Sequence, residues 1–174
     1  MKAEVHIVET ETAQEFSAET VIRILQHVGP TVDDIIKEIN EIYKNAEINK
    51  EVCLIMANRA YSASQAIIIM KERITRNEEK LKNFRTETYR LALQRLEKVI
   101  RDIKDYTYKV SKLNRFFIRF FSAKYEYEDV IEKYDLCMKN LQVILRVNNA
   151  FYRAKDKTEE TKKVEKALEK TEKV

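Results

Sequence analysis

A chain with one glycine and one proline in 174 residues has almost nothing from which to build tight turns. A sheet protein needs turn residues at about every tenth position, and here they are missing. Ala, Leu, Ile, Lys, Glu and Arg recur instead at helical spacing, so the chain reads as all-α with long helices. A hydrophobic fraction of 44% suffices for one domain with a core, while the 36% of charged residues must cover its outside.

The stretch 89–121 organises the rest. Leu93, Leu96, Ile100, Ile103, Val110, Leu113 and Phe117 fall at heptad-like steps, the spacing of a helix that packs along its whole length. The seam then runs into Arg115-Phe116-Phe117-Ile118-Arg119-Phe120-Phe121. That is more apolar area than one narrow stripe needs.

On either side the chain divides into amphipathic segments. Residues 1–15 are acidic and threonine-rich and are expected to be disordered. Ser17 fits an N-cap with Glu19 in the first turn, predicting a short helix over 18–28 that Gly29-Pro30 ends. Thr31 then caps a second helix with the stripe Val32, Ile35, Ile39, Ile42 and Ala46. Asn49 caps a third over 50–76, whose stripe is Val52, Met56, Ala60, Ala63, Ile67, Met70 and Ile74. A polar connection, 77–86, leads to the central helix, and a turn near Ser122 leads to the last long one, which reaches about residue 154. Its seam is Tyr127, Val130, Tyr134, Cys137 or Met138, Leu141, Ile144 or Leu145, and Phe151. Residues 153–174 hold eight basic and six acidic residues; Val164, Leu168 and Thr171 keep helical steps, which predicts a weakly docked solvated helix or a linker. The expected architecture is an antiparallel four-helix bundle within 16–152, with an extra short N-terminal helix and a charged C-terminal helix over 153–174.

Chemistry-bearing motifs are few. One glycine cannot make a phosphate-binding loop, and HExxH, GxSxG and ExxH do not occur. We therefore expect no enzyme, no cofactor and no metal. Cys53 and Cys137 sit in apolar patterns without a CxxC, and His6 and His27 have no ligand partners nearby in sequence. Buried reduced thiols and a cytoplasmic protein are the expectation. The N-terminus lacks the pattern of a signal peptide, and the longest apolar run, 66–70, falls short of the roughly 18 residues of a membrane span.

Charge is unevenly spread. Residues 1–47 carry four basic and ten acidic residues, whereas 95–124 carry nine basic and three acidic. Two solvated faces of opposite sign explain this as well as a binding patch does. The basic stretch has one feature of its own, Lys112, Arg115, Phe116, Arg119, Phe120 and Lys124, in which cations alternate with rings. Such a pattern suits an anionic membrane surface, where rings sink to the headgroup level and cations meet phosphate. Phe117, Phe120 and Phe121 could equally cap one end of a core. Stacking on single-stranded nucleic acid fits poorly beside an acidic N-terminal third, so no nucleic acid is expected.

Two runs carry a resemblance. Asn49-Lys50-Glu51-Val52-Cys53 opens a long alanine-containing helix, and Leu93-x-x-Leu96-x-x-x-Ile100-x-x-Ile103 precedes Lys112-Leu113 and Arg119-Phe120-Phe121-Ser122-Ala123. Over 31–152 the chain resembles the N-terminal four-helix-bundle domain of mixed-lineage-kinase-domain-like (MLKL) proteins and the fungal HeLo-like cell-death domains. The resemblance implies a membrane-permeabilising module of regulated cell death or defence signalling. In such a module a following brace segment, here 153–174, holds the bundle inactive, and a kinase or repeat domain shares the longer chain. On release the module oligomerises and binds anionic lipids through basic residues, so a cytoplasmic protein is recruited to the membrane. Asp33, Asp34, Glu38 and Glu41 depart from this pattern, because they make acidic the helices that would enter the membrane. An adaptor bundle that joins a larger signalling protein to a partner is the alternative.

Overall fold

The computed structural model describes residues 17–76, 87–112, 122–145 and 157–173, and the regular elements among them are all helices. They are α1 (Ala18–Lys44), α2 (Lys50–Arg76), α3 (Glu87–Ser111), α4 (Ala123–Leu145) and α5 (Lys157–Lys173). The expected disordered segment, 1–15, lies outside the described residues.

The expected break at Gly29-Pro30 does not occur. One continuous helix runs from Ala18 to Lys44 with Pro30 inside it, so there is no separate short N-terminal helix. Ser17 does cap it, its hydroxyl accepting from the Thr20 N–H at 3.2 Å. Proline removes one ladder bond and crowds the preceding turn, at about 3 kcal/mol. Tertiary packing outweighs that cost: Val21, Leu25, Val28, Val32, Ile35 and Ile39 are all buried, in one stripe that passes through the proline. Thr31 is no cap either, since its hydroxyl donates back to the His27 carbonyl at 3.0 Å. Gly29 is buried where α2 comes close; a Cβ there would meet Lys71 Nζ at 2.9 Å and Ile67 Cγ2 at 3.5 Å.

α2 has the expected bounds, and Val52, Met56, Ala60, Ala63, Ile67 and Met70 are buried. α3 packs against α1, α2 and α4, so it is the hub of the molecule. Its seam residues Leu93, Leu96, Ile100, Ile103 and Val110 have no exposed surface. On α4, Tyr127, Val130, Tyr134, Cys137, Met138 and Leu141 are buried. Both cysteines are free and buried. Burial pushes each thiol up to about 11 from its ordinary 9.0.

α5 docks more firmly than its composition suggests. It packs against α2 and α4, with Val164 fully buried and Ala167 and Leu168 against the core. Glu160 meets Arg59 near one end of α5, and Thr171 meets Asn49 near the other, so α5 runs opposite to α2.

Candidate functional site

Of the six residues of the basic and aromatic motif, Arg115, Phe116, Arg119 and Phe120 lie outside the described residues. Lys112 and Lys124 frame that stretch. Lys112, at the end of α3, is exposed, with its Nζ 5.3 Å from the centre of the Tyr108 ring. Lys124, in the first turn of α4, pairs with Glu165 of α5 at 2.7 Å. The hydrogen bond to Glu165 raises the Lys124 pKa above its ordinary value.

The tyrosines here divide by face. Tyr106 and Tyr127 are buried, with ring centres 6.1 Å apart, and the Tyr106 hydroxyl donates to the Ala123 carbonyl at 3.0 Å. That bond ties the end of α3 to the start of α4. Tyr108 and Tyr125 point outward.

The structure adds a cluster that sequence reasoning did not find. Arg59 of α2 reaches across to α4 and α5. Its Nη1 donates to Asp135 Oδ1 at 2.8 Å, while Nε and Nη2 both donate to Glu160 Oε1, at 3.0 and 2.9 Å. The same Glu160 oxygen accepts from the Tyr127 hydroxyl at 3.0 Å. The Tyr134 hydroxyl donates to the Arg59 carbonyl at 2.7 Å, and its ring lies 5.4 Å from the guanidinium carbon. The three charged side chains expose only 12%, 13% and 9% of their surface. Burial works against charge on Arg59, but Glu160 and then Asp135 outweigh it and hold the guanidinium pKa above its ordinary value.

A second polar tie lies further along α5. Thr171 donates to Asn49 Oδ1 at 2.5 Å, and Asn49 Nδ2 donates to the Val110 carbonyl at 2.9 Å. Asn49 stands just before α2 as expected, yet with φ of +52° it is in the left-handed region, where Asn is among the few side chains that fit. Its side chain therefore links α3 and α5 rather than capping α2.

One signal for the cluster was present in the sequence. Between Val52 and Met70 the only charged residue is Arg59, and a lone charge in a long apolar stretch needs a buried partner. Nothing in the repetitive Lys and Glu of 157–173 marks Glu160 as that partner. A groove of about 610 Å³ also lies beside the α1–α2 turn, lined among others by Glu41, Glu47, Tyr108 and Lys112. Among the described residues no group of three or more His, Cys, Asp or Glu is placed to hold a metal ion.

No family model matches the chain, and no curated protein or solved structure matches it.

Proposed function

We propose that this chain is a membrane-acting helical-bundle module of regulated cell-death or defence signalling, with α1 to α4 as an antiparallel four-helix bundle and α5 as its brace. The observation that carries the reading is the clamp on α5. Glu160 of α5, a buried carboxylate, is paired with Arg59 of α2 and accepts from the Tyr127 hydroxyl of α4, so release of α5 has to break a buried ion pair. Lys124 adds a coupling. It belongs to the basic stretch that would meet lipid phosphate, yet Glu165 of α5 holds it, so docking of α5 and binding of an anionic headgroup compete for one ammonium. On release the chain oligomerises at the membrane, with Lys112, Arg115, Arg119 and Lys124 meeting anionic lipids and Phe116 and Phe120 sinking between headgroups.

Leakage from phosphatidylserine vesicles at low salt tests the reading. Glu160→Lys sets a cation against Arg59 and is expected to cause leakage where the unchanged chain causes little. The further change R115E/R119E is expected to remove it. Absence of both binding and leakage in all forms rejects the proposal.

The adaptor reading has an observation in its favour. Asp34, Glu38 and Glu41 are exposed on α1, each in an ion pair with a lysine (Lys37, Lys104 and Lys44), a mixed-charge face that suits a protein partner better than anionic lipid. Under it, Glu160→Lys leaves the chain in solution when vesicles are sedimented.

A further inference from the structure

The site that α5 occupies on α2 and α4 makes demands at fixed spacing along one helix. A carboxylate must reach both Arg59 and the Tyr127 hydroxyl, as Glu160 does. An apolar side chain must fill the place of Val164, which is fully buried. A second carboxylate must meet Lys124, as Glu165 does at 2.7 Å. A hydroxyl must reach Asn49, as Thr171 does near the far end of α5. Glu160 and Thr171 stand about 16 Å apart at the helical rise, so the contacts between them define their occupant closely. Every copy of this chain carries that occupant.

The way α5 follows α4 leaves open which copy supplies it. Tyr127 meets Glu160 and Lys124 meets Glu165, so the two helices run in opposite directions. Lys157 therefore lies about level with Val130, whereas α4 ends at Leu145, about 22 Å further along at the helical rise. A tight turn between antiparallel neighbours would instead set the two ends side by side. Eleven residues, 146–156, separate the helices in sequence, and that many reach about 40 Å when fully extended. A reach that brings α5 back over its own α4 also covers the α4 of an adjacent copy.

We infer that α5 is exchanged between two copies, giving a closed dimer in which the α5 of each occupies the α2–α4 site of the other. Every docking contact is then the one made in the monomer, so concentration decides between the two forms. The connection gives a copy's own α5 an effective concentration on the order of millimolar at its own site. The monomer therefore prevails in dilute solution, and the dimer takes over where copies are crowded. Since α5 stays docked in the dimer, each copy braces its partner. This rests on the reading above in one respect, that α5 leaves its site; it needs no membrane.

Charge reversal in the full chain provides the test. Arg59→Glu and Glu160→Lys each set like charges together, in the monomer and in a dimer of either variant alone. Mixed in equal amounts the two are complementary, since one site of the exchanged dimer regains the original pair and the other holds it inverted. Each variant alone is expected to sediment as a monomer with fast hydrogen exchange at 157–173. The mixture is expected to dimerise, with exchange there slowed by about tenfold or more and α3 protected throughout. R59E/E160K carries the inverted pair in one chain and sets the protection that the mixture should reach. If that double variant docks α5 while the mixture stays monomeric, the inference is overturned. A shortened chain covers the case in which the inverted pair does not dock. Deleting 147–154 leaves a connection of at most about 14 Å, too short for α5 to return to its own site. A dimer with 157–173 protected is expected, and a shortened chain that stays monomeric overturns the inference. Lipid enters neither experiment, so failure here leaves the membrane reading standing, and that reading fails on vesicle leakage alone.

Discussion

At Arg59 the chain places one cation where three helices meet and surrounds it with two carboxylates and two tyrosines. Removing one member of a buried pair leaves the other uncompensated, at roughly 3–5 kcal/mol. Arg59→Ala should cost that much, because it strands both Asp135 and Glu160. Glu160→Gln should cost less, since Asp135 still balances the guanidinium. Urea denaturation of the two variants checks the order. The buried acids make a separate prediction. Cys53 and Cys137 are pushed up to about 11, and burial holds the phenols of Tyr89, Tyr106 and Tyr127 above their ordinary 10. A raised pKa means that the fold favours the protonated form. Its stabilisation is therefore complete below the unfolded value and fades as pH climbs toward the folded one. The thiol contribution should hold to pH 9 and be lost between 9 and 11, with the phenols adding to the fall from 10 upward. Each group ionised only in the unfolded chain adds a slope of about 1.4 kcal/mol per pH unit, so urea midpoints should drop steeply between about pH 9 and about pH 10.5.

Among the elements, α1 holds together against its own sequence. Its buried stripe continues through Pro30, and Pro30 itself is exposed, so little packing depends on the ring. Pro30→Ala returns a ladder bond worth about 3 kcal/mol with its steric relief, offset by up to about 1 kcal/mol from a looser unfolded chain. A net gain of about 2–3 kcal/mol is expected, read as a higher thermal midpoint. α3 is the opposite case, an element whose sequence and packing agree. Leu96 and Ile103 are fully buried where α3 contacts its neighbours. Leu96→Ala or Ile103→Ala should each cost roughly 2–5 kcal/mol, with the spread set by how far the other helices close the cavity. Loss of only a few tenths in urea denaturation would show that α3 is not the hub.

For the whole molecule the central relation is between α5 and the bundle. Hydrophobic burial holds α1 to α4 together, and α3 supplies most of the shared surface. α5 is attached differently, by Val164, by the Glu160 clamp and by the Thr171–Asn49 tie. The proposed function requires that α5, which also packs Ala167 and Leu168 against the core, leaves while α1 to α4 stay folded. Hydrogen exchange at 157–173 under Glu160→Lys should therefore quicken while α3 keeps its protection; loss of protection in both would show that α5 is part of the core.

The sequence alone determined the helical class, the bounds of α2, the Ser17 cap and most of the buried seams among the described residues, because those follow from turn residues and from spacing within one segment. It did not single out Arg59, although a lone charge between Val52 and Met70 was there to be read. It could not reveal the continuity of α1 through Pro30, because the energy that outweighs a proline comes from neighbours far along the chain. Nor could it pick Glu160 from six similar acidic residues in 153–174, since only docking against α2 and α4 buries that carboxylate while Glu159 and Glu169 stay exposed. Local spacing chose the helices, while the depth at which each charge came to rest was decided by packing between them.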